Sequence, residues 1–328
     1  MTDQLIQEAL DTPSYLDFLD REYLATYVGR GGAAVKLLVT DDEFATESLA
    51  KGLDVVGDGF QHVAVSAETT RIHMIDQIFA EVARQLDWIA LAEAVVRRAF
   101  DEAGFPLGDR AELSIPAVAA HYEVDSGELY RSVRRAVEKI VLKDSDLSHE
   151  FRTAMWRLCQ SRLGRGDVSQ AECATVIGWL RGERVPAAEL RKLSLQAKVS
   201  RHNARSLLLS LTHWIRLAGH SGLVLRLDLT RLALARRPPV GLRDGQYYSK
   251  AATLDAYELL RQLIDGTDEF EGLLVAVLLP QELVNDEARG LPAYSALRLR
   301  VVDEVRDRAR INPYSTLVRI GGRNEVEA

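Results

Sequence analysis

The sequence predicts an α/β protein with a three-layer core, a five-stranded parallel sheet and a large all-helical insertion. Short apolar runs rich in β-branched residues have the length and continuity of strands that are buried on both faces. They lie at 35–39, 61–66, 222–228, 272–280 and 315–320. Long helical stretches separate these runs, and crossovers of that length join strands that run parallel. The longest such stretch, 89–220, has helical periodicity almost throughout.

The pattern divides the chain into three segments. Residues 1–88 hold N-terminal helices, interrupted at Pro13, and the first half of the core. Residues 89–220 are expected to form the helical insertion, and residues 221–328 the second half of the core, with no C-terminal lid expected. An amphipathic helix is expected to open at 66–70 and to run to Leu86. The composition, 47% hydrophobic and 27% charged, is that of a soluble globular protein.

The first strand leads into an eight-residue connection, Thr40 to Glu47, before the next helical run. Strand, loop, helix and strand is the layout of a phosphate-binding loop, whose signature is G-x-x-x-x-G-K-[ST]. On that template Thr40 and Ala45 replace the glycines, Thr46 replaces the lysine and Glu47 replaces the hydroxyl residue. Acidic residues at 41–43 add negative charge, and Asp42 or Thr40 can cap the following helix. We interpret the segment as a phosphate-binding fold that has lost its phosphate loop.

The third strand ends at Asp228, which Leu229 follows. In the Walker B pattern an apolar strand ends in Asp-Glu, where the Asp holds magnesium through water and the Glu polarises the attacking water. Asp228 fits that pattern, but Leu229 stands in place of the Glu and Arg226 interrupts the apolar run. These residues support a nucleotide-binding fold and argue against turnover.

Several segments together resemble the BREX-associated ATP-binding family of bacteriophage-exclusion operons. The segments that carry the resemblance are 178–183, 218–220, 222–228, 247–252, 254–262 and 312–313. The resemblance spans roughly residues 20 to 320 and implies a P-loop NTPase core related to AAA+ ATPases. Members of the family have an intact phosphate loop, an Asp-Glu pair and a helical region after the fifth strand. The chain departs from all three features, so no catalytic residue is assigned.

The resemblance and the departures favour a pseudo-ATPase: a non-catalytic, cytoplasmic subunit of an anti-phage complex. Its expected partner is an intact paralogous ATPase or another protein of the same operon, in a hetero-oligomer. Two alternatives stay open: a divergent ATPase that binds ATP and magnesium, and a DNA-binding adaptor that uses the helical insertion. On the first interpretation the chain has no cofactor and no metal site.

Arginines between the fourth and fifth strands are candidates for contact with a partner ATPase. A fixed guanidinium can pair with a γ-phosphate in a neighbouring subunit. The candidates are Arg298, Arg300, Arg306, Arg308 and Arg310. The alternative is that these side chains form solvated pairs with Asp303, Glu304 and Asp307.

A helical pair at 115–142 resembles a helix-turn-helix, and its second helix is basic. The nucleic-acid candidates on that helix are Arg131, Arg134, Arg135 and Lys139. A second basic stretch, from Arg181 to Arg205, is treated in the same way. The alternative for both stretches is a helical hairpin with a solvated basic face, which is common in proteins.

Some classes of protein are not expected from the composition. The net charge of −7 provides no global attraction to nucleic acid or to a membrane surface. The two cysteines, Cys159 and Cys173, have no metal or disulfide spacing, which fits a reducing compartment. The N-terminus has no signal-peptide pattern, and no apolar run approaches the length of a membrane span.

Overall fold

The computed structural model describes residues 9–40, 42–108, 113–164, 168–234, 239, 241, 244–301 and 312–321. Its strands are β1 (Leu10–Asp11), β2 (Ala33–Thr40), β3 (Phe60–Ser66), β4 (Gly222–Asp228), β5 (Leu273–Pro280) and β6 (Leu317–Gly321). They form one sheet in the order β1-β6-β2-β5-β4-β3, and each pairing is parallel. The predicted α/β class and the predicted strands are therefore confirmed.

The prediction of five strands is wrong in number, because β1 is a sixth. Leu10 pairs with Ile320 and Asp11 pairs with Gly321, so β1 extends the sheet beside β6. A two-residue strand has no periodicity to recognise. Asp11 is also the N-cap of the next helix, and that signal dominates the local sequence.

The described helices follow in chain order. They are α1 (Thr12–Phe18), α2 (Glu43–Leu53), α3 (Ile75–Gln85), α4 (Trp88–Glu102), α5 (Ile115–His121), α6 (Ser126–Val141), α7 (His149–Arg162), α8 (Gln170–Leu180), α9 (Ala187–Lys192), α10 (Ala204–Leu217), α11 (Lys250–Asp265), α12 (Glu282–Asn285) and α13 (Ser295–Val301). Pro13 lies in the first turn of α1, where an N–H needs no intrahelical partner. The helix predicted before Pro13 falls mostly outside the described residues, and β1 occupies Leu10–Asp11.

The core of the sheet is buried on both faces. Leu37 and Leu38 are adjacent in β2, point to opposite faces and are both fully buried. On the Leu38 face, Tyr15 of α1 and Leu49 of α2 belong to one apolar cluster with residues of β4, β5 and β6. This burial explains why the strands appear in the sequence as continuous apolar runs.

The helix expected from 66–70 begins at Ile75, so the expected start is wrong. The hydroxyl of Tyr248 lies 2.8 Å from the carbonyl oxygen of Ala67 and 2.5 Å from that of Thr70. It also accepts a hydrogen bond from the N–H of Ile72 at 3.4 Å. These contacts hold the segment in turns, and Tyr248 is too distant in sequence for local periodicity to reveal them.

The chain forms two compact units, residues 1–78 with 221–328, and residues 79–220. The sheet lies in the first unit. The second unit contains α4 to α10, and its core includes the fully buried Trp88, Phe151 and Trp214. Ring centroids are 6.2 Å apart between Trp88 and Phe151 and 6.3 Å apart between Phe151 and Trp214. None of the described helices has the length and apolar character that a membrane span requires.

Candidate functional site

The carboxyl ends of β2, β4 and β5 meet at one edge of the sheet. Thr40 pairs with Pro280, and Asp228 pairs with Leu278, so the ends of β2 and β4 flank the end of β5. Ligands of open α/β sheets bind at this edge. The fold therefore brings Thr40 and Asp228, predicted separately from sequence, to the same side of the molecule.

The connection between β2 and α2 is much shorter than the predicted eight residues. β2 ends at Thr40 and α2 begins at Glu43, so only Asp41 and Asp42 join them, and Asp41 lies outside the described residues. Ala45, Thr46 and Glu47 are helical residues, and Thr40 is a strand residue. The predicted loop boundary is wrong because Asp42 starts the helix as its N-cap.

The side chain of Asp42 satisfies the N-terminus of α2. Its Oδ1 accepts a hydrogen bond from the N–H of Ala45 at 2.6 Å. The hydroxyl of Thr46 donates to the Asp42 carbonyl oxygen at 2.8 Å and lies 2.6 Å from the hydroxyl of Thr40. A helix N-terminus binds an anion with its free N–H groups and its dipole. Here a carboxylate of the chain itself takes that position.

Glu47 and Phe44 also lie near the N-terminal end of α2. Glu47 pairs with Lys51 at 2.7 Å on the solvent side, and the hydrogen bond from Lys51 lowers the pKa of the Glu47 carboxyl group. Phe44, in the first turn, is 76% exposed. Lys51 therefore engages the Glu47 carboxylate, and the Phe44 ring has no polar atom that could bind magnesium or phosphate.

Asp228 is engaged by the residue two positions later. Its Oδ1 accepts hydrogen bonds from the Thr230 N–H at 2.9 Å and from the Thr230 hydroxyl at 2.7 Å. Leu229 is 1% exposed, and its N–H donates to the Leu278 carbonyl oxygen at 2.9 Å. Leu229 is therefore a core residue, and its side chain is not available to a ligand at this edge of the sheet.

Arg226, which interrupts the apolar run of β4, has a structural partner. Its guanidinium makes two hydrogen bonds of 2.9 Å to the carboxylate of Asp54, the residue that ends α2. The Arg226 side chain is 16% exposed and the Asp54 side chain is 45% exposed. This bidentate pair joins α2 to β4 and explains a cation inside a buried strand.

Most of the chain matches one known protein family. The model of the BREX system ATP-binding protein BrxC/D matches residues 60–322, which is most of the chain. The chain belongs to this family. The match begins at the first residue of β3, so β2 and α2, with Thr40, Ala45, Thr46 and Glu47, precede the matched span. Comparison with curated proteins gave no significant match, and comparison with solved structures gave none either.

The BrxC/D match includes the candidate arginines, of which the structure describes two. Arg300 makes an ion pair with Asp265 at 2.5 Å and donates to the Ala296 carbonyl oxygen at 2.9 Å. Arg298 is exposed, and its side chain forms no hydrogen bond or ion pair with a described residue. Arg306, Arg308 and Arg310 lie outside the described residues.

The basic helix of the second unit is α6, which follows α5 through the predicted turn. Its apolar side is buried, and its basic side chains are solvent-exposed: Arg131, Arg134, Arg135 and Lys139. The guanidinium of Arg134 lies 5.9 Å from the ring centroid of Trp156, and Lys139 pairs with Glu102 at 3.8 Å. The basic face exists as predicted, and its role in nucleic-acid binding stays a prediction.

Sequence reasoning missed two groups of polar side chains. In the second unit, ligand atoms of Asp144, Asp146 and His213 lie within 4.8 Å of one another. Asp144 contacts His213 at 2.8 Å and accepts the Asp146 N–H at 2.9 Å, so the chain's own groups satisfy it. In the first unit, a cleft of about 740 Å³ is lined by cationic and aromatic side chains.

Both cysteines are buried as free thiols, and burial raises the pKa of the Cys159 thiol.

Proposed function

We propose that the protein is a non-catalytic member of the BrxC/D family, a pseudo-ATPase subunit of a BREX-type anti-phage complex. The observation that carries the proposal is the capping of α2 by the Asp42 carboxylate after a two-residue connection. A phosphate at this position would meet a fixed negative charge and too short a backbone to surround it. The Asp42 carboxylate stands where the phosphate of a bound nucleotide would be held.

The Walker B position supports the same proposal. Asp228 is held by Thr230, and Leu229 offers no group that could polarise water. Phosphoryl transfer depends on positioned charges and metal ligands acting together. On this proposal the subunit keeps the P-loop-like fold without its ATPase chemistry. It resembles AAA+ proteins in the way that it assembles with neighbouring subunits.

The partner in this proposal is a family member with an intact phosphate loop, encoded by the same operon. Sites of AAA+-type ATPases form between neighbouring subunits, so a subunit that lacks nucleotide can still complete its neighbour's site. Arg298 is the described arginine suited to that role, because its guanidinium is exposed and is not used by described residues of its own chain. The complex is accordingly a hetero-oligomer.

The protein is expected not to bind Mg-ATP. Isothermal calorimetry at tens of micromolar protein should give no heat of binding, with the intact paralogue as positive control. The reason is the Asp42 carboxylate at the helix end together with the absence of a loop that could wrap a phosphate. A micromolar dissociation constant would instead support the divergent ATPase, provided that it survives Lys250→Gln, a change in the cationic cleft at the same edge of the sheet.

Restoring the lysine of the signature is expected to create no ATPase. Thr46→Lys supplies a cation but removes the hydrogen bonds of the Thr46 hydroxyl to Thr40 and to Asp42. The backbone donors that must surround a phosphate are still lacking, so turnover should equal that of the wild type. Phosphate release would be measured with Thr46→Ser as the control that keeps the hydroxyl. Turnover by Thr46→Lys above this control would mean that the pocket is nearly intact.

A further inference from the structure

The cleft of about 740 Å³ lies beside the carboxyl ends of β3, β4 and β5. Its cations come from three distant segments: Arg71 follows β3, Lys250 begins α11 and Arg289 follows β5. No acidic residue is among its described lining residues. From these features we propose that the cleft binds single-stranded nucleic acid through its phosphodiesters.

Two of the cations are available to a ligand. Arg71 and Lys250 are exposed, and their side chains form no ion pair with a residue that the structure describes. Lys250 is also the first residue of the 16-residue helix α11, whose positive dipole end therefore faces the same region. Unpaired cations on separate segments that converge on one concavity are the arrangement that a phosphate backbone requires.

Arg289 is held rigidly as part of the wall. Its guanidinium donates to the Tyr248 carbonyl oxygen at 2.9 Å, to the Thr253 hydroxyl at 3.3 Å and to the Leu234 carbonyl oxygen at 3.3 Å. Each of these acceptors is uncharged, so the positive charge of Arg289 is not cancelled by them. Arg289 therefore adds a fixed positive potential to that of the two exposed cations, Arg71 and Lys250.

Tyr247 provides an aromatic surface in the same cleft. The guanidinium of Arg231 lies 4.5 Å from its ring centroid, and its hydroxyl donates to Asp244 at 2.5 Å. Arg231 also pairs with that carboxylate at 2.9 Å and donates to the Gln246 carbonyl oxygen at 3.0 Å. Arg231 thus fixes the ring and neutralises the nearest carboxylate. A fixed ring beside free cations is the combination that proteins use to bind single strands by stacking and charge.

The occupant is a strand and not a duplex because the cations lie in a concavity. A cavity of this volume accommodates a single nucleotide unit and its neighbours' phosphates, whereas a duplex needs an element that projects into a groove. The basic helix α6, in the other unit, is the competing site for nucleic acid.

The test measures fluorescence anisotropy of labelled oligothymidylate with the full-length protein over a range of salt concentrations. We expect Arg71→Gln with Lys250→Gln to weaken binding by about tenfold or more at low salt, because each phosphate contact releases counterions. The slope of log K against log salt should become shallower by about 1.4, at about 0.7 for each lost contact. Tyr247→Ala should weaken binding by about tenfold while Tyr247→Phe retains it.

The matched control is Arg134→Gln with Arg135→Gln on α6, which removes the same charge from an equally exposed surface. This variant should bind oligothymidylate as the wild type does. The proposal is overturned if the α6 variant loses binding and the cleft variant keeps it, if a duplex of equal length binds more tightly than the single strand, or if the wild type binds no strand at low salt. Thermal melting of each variant would show that the exposed substitutions leave the fold intact.

Discussion

Lys36→Met is expected to abolish a pH dependence of stability on the order of 5 kcal/mol between neutral and alkaline solution. Lys36 lies within β2 and is 2% exposed. Burial lowers the pKa of its ammonium group from 10.5 to about 7. A buried cation of this kind destabilises the folded state while it carries its proton.

The partners of Lys36 are all uncharged oxygens. Its ammonium donates to the Tyr23 hydroxyl at 2.6 Å, the Tyr314 carbonyl oxygen at 2.7 Å and the Ser315 carbonyl oxygen at 2.9 Å. The Lys36 side chain therefore links the segment before β6 to the centre of the sheet through hydrogen bonds. None of these partners is a carboxylate that could balance its charge. Lys36→Met leaves those carbonyl oxygens without this donor, at a cost of about 1–3 kcal/mol each where they stay buried.

The direction of the pH effect follows from the two pKa values. Between about pH 7 and pH 10.5 the unfolded chain holds the proton on Lys36 and the folded chain has released it. The unfolded state binds more protons in that interval, so the free energy of unfolding rises with pH. Below about pH 7 both states are protonated and the penalty of the buried charge is complete; above 10.5 it vanishes.

Denaturant unfolding at several pH values from 7 to 10 would measure this effect as the difference between wild type and Lys36→Met. The contributions of other titrating groups to the free energy of unfolding cancel in that difference. Lys51→Met is the control, because its ammonium is 73% exposed and pairs with Glu47 at the surface. Parallel pH profiles for wild type and Lys36→Met would contradict the prediction, and hydrogen exchange at 312–321 would report separately on the fastening of that segment.

The strands could be predicted from sequence because burial on both faces leaves a local signal. β2 and β5 are continuous apolar runs, and their limits fall within a few residues of the prediction. The start of α2 was also encoded locally, since Asp42 is a good N-cap, but the phosphate-loop template assigned the same residues to a loop. The phosphate-loop template and the N-cap signal thus gave different predictions for the same residues. The structure has the N-cap, with a hydrogen bond from the Ala45 N–H to Asp42.

The features that sequence analysis missed depend on contacts between distant residues. In the sequence, Lys36 is an unexplained cation within an apolar strand. Its hydrogen bonds to the carbonyl oxygens of Tyr314 and Ser315 explain it, and these residues are distant in sequence. The cleft joins Arg71 to Lys250 and Arg289, which follow different strands. Parallel sheets bring such residues together through long crossovers, and neither periodicity nor motif spacing specifies which strands become neighbours. The position of β2 between β5 and β6 was unpredictable for the same reason.

Arg298→Ala is expected to abolish the stimulation of a partner ATPase by this protein, and Arg300→Ala is not. An arginine supplied in trans accelerates phosphoryl transfer by about 10³–10⁵-fold. The stimulated rate should therefore fall by about a hundredfold or more in Arg298→Ala. This prediction rests on the proposed role as the subunit that completes a neighbour's site.

The two arginines differ in what their own chain does with them. Arg300 has Asp303 and Glu304 three and four positions later and is paired with Asp265 in the structure. Arg298 has Tyr294, Ser295, Val301 and Val302 at the corresponding helical positions, and none of these can neutralise it. The neighbouring Leu299 is 68% exposed, which gives Arg298 an apolar contact point of the kind found in interfaces. Arg300 is thus engaged by Asp265, whereas the pairs predicted with Asp303, Glu304 and Asp307 lie outside the described residues.

The measurement is steady-state ATP hydrolysis by the intact paralogue of the same operon, with and without saturating amounts of this protein. Binding of each variant to the paralogue would be measured separately by size-exclusion chromatography or calorimetry. Loss of stimulation by Arg298→Ala with an undiminished complex would identify a trans-acting arginine, because a structural contact would weaken the complex as well. If the wild type forms the complex but leaves the hydrolysis rate unchanged, the trans-acting role is wrong and the subunit's contribution is structural. If no complex forms, the proposed pairing itself fails.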